Sequence, residues 1–285
     1  MIVSCIAFGS MWVLIRYASR DVHAIEIVFF RNAVGTVVLL PMMLRNKGLI
    51  RLDRLTANLR RATSGFIATM GTFYAVAHAP LATALSINYT APLFATVGAV
   101  LFLGEKIHAR RVAALVAGFA GMLIVLRPGA LPLTPGIVAA MISAVSTAFS
   151  IVAIRALVAS DDSRSVAAWT FILMTPPSLV AALFVWQWPP LHAWPLLLLI
   201  GCCAAVGQLS LSKAFSLAEA SAVLPYDFVR FGIVATAGIM LFGERLDALT
   251  IVGGVVILGA TIYLALREAR VARDARVASL AESPN

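Results

Sequence analysis

The chain contains 285 residues, of which 61% are hydrophobic and 12% are charged, and its mean hydropathy is +0.95. A soluble domain is typically about half apolar and about a quarter charged, so this composition excludes an ordinary soluble fold. The net charge of +9 does not indicate nucleic-acid binding, because the basic residues lie in short gaps between apolar runs, where they set membrane orientation.

Ten apolar runs, bounded by charged residues, Pro or Gly, divide the chain into candidate membrane helices. A helix that crosses the bilayer takes roughly 20 apolar residues, so ten spans occupy most of the length. The sequence therefore predicts an all-α integral membrane protein with no room for a separate catalytic domain. In chain order, the predicted helices occupy residues 2–17, 24–44, 62–79, 81–103, 112–127, 136–157, 165–186, 194–215, 220–242 and 248–266.

The segments between the predicted helices are short, except for two basic regions. Arg45 to Arg61 joins helices 2 and 3, and the charged tail of residues 267–285 follows helix 10 as a helical extension. Along the ten-helix path, fifteen Lys and Arg residues fall on one side of the membrane and four on the other. By the positive-inside rule the richer side is cytoplasmic, so we expect both termini to be cytoplasmic in the inner (plasma) membrane.

The sequence carries none of the common cofactor or metal signatures. Its three cysteines and four histidines lie within or at the ends of apolar runs, and no spacing resembles a metal site. A Gly-rich phosphate loop ending in Lys and Ser or Thr is also missing, so the chain has no ATP motor of its own. We therefore expect no metal, cofactor or catalytic residue. The expected partners are the lipid bilayer and a small-molecule substrate, and not nucleic acid.

The two halves of the sequence resemble each other at a constant offset of 139 residues. This shift brings Gly104-Glu105-Lys106 onto Gly243-Glu244-Arg245, and Ile15-Arg16 onto Ile154-Arg155. Several matches at one offset are poorly explained by chance. Because each half holds five helices, an odd number, the second half must cross the membrane in the opposite sense. The sequence thus predicts ten transmembrane helices arranged as two inverted five-helix repeats, which is typical of secondary transporters.

Several short motifs resemble the EamA family of the drug/metabolite transporter superfamily. They are Gly9-Ser10-Met11-Trp12 in helix 1, Phe29-Phe30-Arg31 in helix 2, and the Gly-Glu-basic motif after helices 4 and 9. The resemblance covers two EamA units, residues 2–127 and 136–266, followed by the cytoplasmic tail of residues 267–285. It implies a ten-helix bundle with a central cavity lined by helices 1 to 4 and 6 to 9, and with helices 5 and 10 at the periphery.

Polar residues within the predicted spans are the candidate substrate-binding residues, because a charge in the bilayer is costly to bury. Three of these residues are cations and one, Asp227, is an acid. The 139-residue offset pairs Asp227 with Asn88, and each of the two is next to a tyrosine. An alternative is that Asp227 and Arg230, three residues apart on one helix, simply neutralise each other. The complete candidate set is Arg31, Tyr74, Asn88, Tyr89, Lys213, Tyr226, Asp227 and Arg230.

Prolines and small residues indicate which helices move and which pack. Pro92 and Pro225 interrupt helices 4 and 9, and Pro176-Pro177 interrupts helix 7. Each proline removes an intrahelical hydrogen bond, which the membrane tolerates only against protein or a wet cavity. Stripes of small residues in helices 5 and 10, including Gly121 and Gly253, suit close packing within one chain or between the subunits of a homodimer.

These features predict a secondary transporter that moves a small organic metabolite across the inner membrane by alternating access. Three cations against one acid within the spans predict an amino-acid-like or other carboxylate-bearing substrate, and export is the expected direction. An uptake permease for a vitamin or nucleotide-like metabolite is the alternative within this class. An integral membrane enzyme needs a nucleophile-base pair or metal cluster, which the spans lack, and a receptor or scaffold needs no matched polar residues across a repeat.

The charge asymmetry yields a test of orientation. With the native cysteines replaced, single cysteines at Asn46 and Ser283 should resist a membrane-impermeant thiol reagent added outside the cell, because both positions are predicted to be cytoplasmic. Strong labelling of either position from outside would overturn the predicted topology.

Overall fold

The computed structural model describes residues 1–46, 55–91, 93–94, 109–126, 133–158, 161–217, 228–243 and 248–281. These residues form ten α-helices and one short 3-10 turn, Leu191–Ala193, with no strand among them. In chain order the helices are α1 (Ile2–Ala18), α2 (Ala24–Arg45), α3 (Leu55–His78), α4 (Leu81–Asn88), α5 (Ala109–Leu126), α6 (Pro135–Val158), α7 (Ser163–Leu183), α8 (Trp194–Leu217), α9 (Phe228–Phe242) and α10 (Ala248–Ala281).

The lengths and surfaces of these helices suit a bilayer. Four segments are long and apolar enough to cross a membrane: α2, α7, residues Pro135–Ile154 of α6, and α8 with the turn before it. Four shorter apolar helices lie in α1, α5, α9 and α10. Large apolar side chains remain exposed on the outside of the bundle, such as Val37 at 65% and Val116 at 64%. Extensive exposed apolar surface is rare in soluble monomers and is what lipid contact requires.

The third helix is longer than the sequence predicts, and the tenth has the extension that it predicts. The third begins at Leu55 instead of residue 62, so Arg60 and Arg61 belong to α3 and not to the preceding loop. The reason is that residues 55–61 are too polar to count as an apolar run, although most of them are adequate helix formers. Moving both arginines out of the loop leaves thirteen basic residues against four, so the asymmetry remains. The tenth helix continues to Ala281, which confirms the helical extension predicted after residue 266.

Side chains fix the starts of α2 and α7. The ring Nδ1 of His23 accepts a hydrogen bond from the Ile25 N–H at 3.3 Å, and Asp162 Oδ1 accepts one from the Arg164 N–H at 2.8 Å. Each therefore satisfies an N–H group that has no partner within its helix. Pro176 and Pro177 lie inside α7, as predicted. Pro92 and Pro225, which the sequence places within helices 4 and 9, lie outside the described residues. The Glu and basic residues of the two Gly-Glu motifs, around residues 105 and 244, lie outside them as well.

Packing brings eight helices together around a centre and leaves two outside it. The helix α3 packs along α6, while α1 packs on α8 and α9, and α4 packs on α6. The helix α2 packs on α7 and α8. The two remaining helices, α5 and α10, pack mainly against each other at the edge of the bundle, and both also contact α4. The fold thus agrees with the peripheral position that the family resemblance implies for these two helices.

The backbones of α5 and α10 approach closely at a pair of glycines. A Cβ atom added at Gly121 would lie 2.9 Å from the carbonyl oxygen of Gly253, and one added at Gly253 would lie 2.6 Å from the carbonyl oxygen of Gly121. Only glycine fits such a reciprocal contact. The small-residue stripe therefore serves packing within the chain at this point, while the predicted homodimer stays a prediction.

This contact predicts a difference between two glycines of the same helix. Gly253→Leu should lower the free energy of unfolding by about 1–3 kcal/mol, because it forces α5 and α10 apart. Gly259→Leu is the matched control, since nothing lies within 4 Å of a Cβ added there. Thermal unfolding of the two purified variants in detergent measures the difference. Equal stability of the two would contradict the close contact.

Candidate functional site

A central cavity of about 180 Å³ lies among the eight inner helices. Its described lining residues come from α1 to α4 and α6 to α9, and none of them comes from α5 or α10, in agreement with the resemblance. The wall combines apolar side chains such as Trp12 with polar side chains such as Thr147 and Gln208. The cavity is smaller than pockets that hold drug-sized ligands, so it suits a small metabolite.

The charged side chains in this wall are all basic. Arg31, Arg61 and Arg230 line the cavity, and no carboxylate occurs among the described lining residues. Arg31 is 5% exposed and Arg61 is 3% exposed. Buried charges in proteins are normally paired, because removing an ion from water is costly. The cavity therefore holds positive charge that invites an anion.

Arg31 is held by neutral groups. Its Nη1 donates to Asn32 Oδ1 at 2.6 Å, and its guanidinium carbon lies 5.0 Å from the centre of the Phe171 ring in a cation–π contact. Asn32 in turn donates through Nδ2 to Ser178 Oγ at 3.2 Å. These contacts fix the arginine between α2 and α7 without neutralising it.

Arg61 is the cavity residue that the sequence prediction missed. Its Nη1 donates to Thr170 Oγ1, next in sequence to the Phe171 that contacts Arg31. The two guanidinium groups are near enough to repel each other. Arg61 is buried whereas its neighbour Arg60, on the same turn of the helix, is exposed, and this difference could be expected only once α3 is known to begin at Leu55.

Asn88 occupies the predicted position in the cavity wall. Its Nδ2 donates to Ser143 Oγ at 3.2 Å, and Ser143 Oγ donates to the Ala68 carbonyl at 2.9 Å. Thr72, another lining residue, shares a hydrogen bond with the same serine hydroxyl. These hydrogen bonds form a polar network that joins α3, α4 and α6 in one part of the cavity wall.

Arg230 and Tyr89, two residues of the candidate set, are in contact. The guanidinium carbon of Arg230 lies 5.6 Å from the centre of the Tyr89 ring, and Tyr89 is buried. Arg230 lines the cavity from α9. Two further candidates, Tyr226 and Asp227, lie outside the described residues.

Lys213 and Tyr74 do not belong to the described cavity wall. Lys213 lies four residues before the end of α8 with its side chain exposed. This corrects the expectation that Lys213 is a buried cation: a lysine near a helix end extends its ammonium group to the interface. Tyr74 stacks on His78 with a centroid separation of 4.1 Å. Among the cations of the cavity wall, Arg61 takes the place that the sequence analysis assigned to Lys213.

One end of the bundle, here named the tied end, is held by contacts between helix termini. Arg16 Nη1 donates to the carbonyls of Val76 and Ala77 at 2.9 and 2.8 Å, which caps the last turn of α3. At the same end, His192 Nε2 lies 3.1 Å from Asp21 Oδ2. Glu26 accepts a hydrogen bond from the Gln187 N–H. The tied end is the side that the charge asymmetry predicts to face away from the cytoplasm.

Aromatic rings add to the tied end. Phe30 lies 5.9 Å from Trp186 and 5.4 Å from Trp194, measured between ring centres, and Trp186 lies 5.8 Å from Trp188. On α6 and α8, all described cavity residues lie beyond the helix midpoint, away from this end. On α2 and α3, in contrast, Arg31 and Thr72 line the cavity from the half nearer the tied end, so the cavity lies in the middle of the bundle.

Comparison with known proteins decides the family. The sequence profile of the EamA-like transporter family matches residues 1–127 and 134–266. The chain belongs to this family. It is a multi-pass membrane protein of the drug/metabolite transporter type that handles small molecules, and it is not an enzyme. The part of the structure described contains no group of three His, Cys, Asp or Glu side chains placed to hold a metal ion.

Relatives within this family carry different substrates. The chain is 29% identical to an S-adenosylmethionine uptake transporter of Rickettsia bellii, over 94% of this chain and 92% of the relative. It is 33% identical to the pseudopaline exporter CntI of Pseudomonas aeruginosa, over 92% and 93%. It is also 25% identical to a riboflavin transporter of Brucella anthropi, over 96% and 100%.

A solved structure supports the fold alone. It superposes with a TM-score of 0.65 at 18% identity and covers 93% of this chain and 97% of that chain.

The buried arginine predicts a functional difference between neighbours. Arg61→Gln should reduce transport by about tenfold or more, because it removes a buried charge from the cavity wall. Arg60→Gln should leave transport unchanged, since Arg60 is exposed on the same turn of α3. Release of the transported compound by cells producing each variant measures this, with the amount of folded protein in detergent as the control. Equal transport by both variants would remove Arg61 from the site.

Proposed function

We propose that this protein is a secondary transporter that moves a small carboxylate-bearing metabolite across the inner membrane by alternating access, in the direction of export. Amino acids and their derivatives are the first substrates to test. The observation that carries the proposal is the Arg31–Arg61 pair, which lines the cavity without a carboxylate partner among the described residues.

The arginine pair favours an anionic substrate on energetic grounds. Two guanidinium groups removed from water repel each other, and their described acceptors are the neutral oxygens of Asn32 and Thr170. A substrate carboxylate would neutralise charge and form charge-assisted hydrogen bonds, which are about twice as strong as neutral ones. The same groups would repel a cationic compound.

Alternating access rests on the two halves, residues 2–127 and 136–266, being inverted repeats. Hydrogen bonds that cross between the halves support this. Ser4 Oγ donates to the Gly207 carbonyl at 2.9 Å, and Ser143 Oγ donates to the Ala68 carbonyl at 2.9 Å. The two bonds are equivalent under the offset of 139 residues. Ser143 is the counterpart of Ser4 in the second half, and Ala68 is the counterpart of Gly207 in the first half. A two-fold axis that relates two equivalent halves produces such pairs of contacts, because it exchanges each residue with its counterpart in the other half.

Other contacts repeat the same offset. Thr36 and Thr175, which are 139 residues apart, share a hydrogen bond between their own hydroxyls at 3.1 Å. Helices α2 and α7, whose starts are both fixed by capping side chains, begin at residues 24 and 163, which also differ by 139. These contacts and starts support the proposed repeat.

A relative supports the direction of export. The chain is 33% identical to the pseudopaline exporter CntI. Uptake is the second candidate, because another relative is an S-adenosylmethionine uptake transporter.

A transport assay tests the substrate class. Metabolite profiling of cells with the gene deleted and overexpressed should identify a carboxylate-bearing compound whose level in the medium follows the gene. In proteoliposomes its amide should be transported about tenfold less well, because the amide loses a charge-assisted hydrogen bond. If the amide and the acid are transported equally, the anionic substrate is excluded.

Membrane vesicles of known orientation test the direction. Everted vesicles, whose cytoplasmic face is outside, should accumulate the identified compound if the protein exports it. Accumulation confined to right-side-out vesicles would favour uptake. Vesicles that contain Arg61→Gln serve as the negative control for both orientations.

A further inference from the structure

Arg31 and Arg61 share the same pattern of used and unused donors. In each, Nη1 donates to a neutral oxygen, while Nε has no hydrogen-bond partner among the described residues. The edge of a guanidinium that carries Nε and one terminal nitrogen is a fork that binds carboxylate or phosphate oxygens in pairs. Both Nε atoms are fully buried, so each fork has no partner among the described residues and meets a ligand once the guanidinium turns towards the cavity.

The two forks serve one place in the cavity. Both side chains are more than nine-tenths buried and both line the cavity. They contact consecutive residues of α7, Thr170 and Phe171, and their charges interact. A single bound group of small size can therefore meet both guanidinium groups.

The charges of the described wall indicate what that group is. No carboxylate is among the described lining residues, so a substrate with one carboxylate would leave one of these two buried positive charges unmatched there, at a cost that remains large in an apolar bundle. We propose that Arg31 and Arg61 together bind a dianion, either two neighbouring carboxylates or one phosphate monoester. This inference rests on the proposed anionic substrate and narrows its class from one negative charge to two.

The other cation of the wall does not alter this count. Arg230 lies over the ring of Tyr89 on the α4 and α9 side, and it has further interactions of its own. The dianion site thus consists of α2, α3 and the Thr170–Phe171 segment of α7.

Matched ligands of different charge test the proposal. Thermal unfolding of the purified protein in detergent is followed against increasing concentrations of succinate, its monoamide succinamate, and methyl phosphate, at constant ionic strength. Succinate and succinamate have nearly the same size and differ by one charge. We expect succinate to bind about tenfold more tightly than succinamate, because one charge-assisted fork is lost in the monoamide.

Variants separate charge from structure. Arg31→Gln and Arg61→Gln should each reduce the preference for succinate to less than about twofold, because one cation remains. Arg61→Lys keeps the charge and should keep a preference for succinate at lower affinity, which a purely structural role of Arg61 would not produce. Arg60→Gln, at the exposed neighbouring position, should behave as the unmodified protein does.

Each outcome is informative. Tighter binding of methyl phosphate than of succinate would identify a phosphate monoester as the source of the two charges. Equal binding of succinate and succinamate, without binding of methyl phosphate, would overturn the dianion and leave the transport of a monocarboxylate intact. Absence of binding by all three ligands would also overturn it. A different result would overturn the broader proposal of an anionic substrate, namely that the compound found by metabolite profiling is neutral or cationic.

Discussion

The cost of keeping two arginines charged inside an apolar bundle governs the architecture around the cavity. Arg31 and Arg61 are almost fully buried, and the groups that hold them are an amide oxygen, a hydroxyl and an aromatic face. Each of these contacts is weaker than an ion pair in a medium of low dielectric constant. The polar seam between α2 and α7 exists because these neutral groups must be oriented towards the arginines. It runs from Asn32 and Ser178 to Thr36 and Thr175.

Several of the described hydrogen bonds between the two halves join neutral groups. Ser4, Ser143, Thr36 and Thr175 use hydroxyls, and their acceptors are carbonyls or another hydroxyl. A neutral hydrogen bond adds only about 1 kcal/mol to stability, so such bonds can break and form again at modest cost. The cavity arginines also bridge the halves, because Arg61 donates to Thr170 and Arg31 lies over the ring of Phe171.

The sequence predicted an all-helical membrane protein and placed some of the residues that line the cavity, and the reasons differ for each residue. Arg31 was identified because it interrupts a clear apolar run, and Asn88 because the offset matched it with a polar residue. Arg61 escaped because its helix starts in a polar stretch, where hydropathy marks a loop. Lys213 was misplaced because hydropathy locates a residue within a span but not its depth or its face. Burial of a side chain depends on packing between helices, such as α3 with α6, which no local pattern contains.

The length of α10 gives it a mechanical property that the other helices lack. Its 34 residues correspond to about 50 Å, whereas the hydrocarbon core of a bilayer is about 30 Å thick, so some 20 Å of helix projects beyond it. At Gly121 and Gly253 the backbone of α10 lies against that of α5, so a displacement of α5 at this point would also displace α10. Because the end of a tilting rod moves in proportion to its distance from the pivot, the projecting part of α10 would move farther than the part within the membrane.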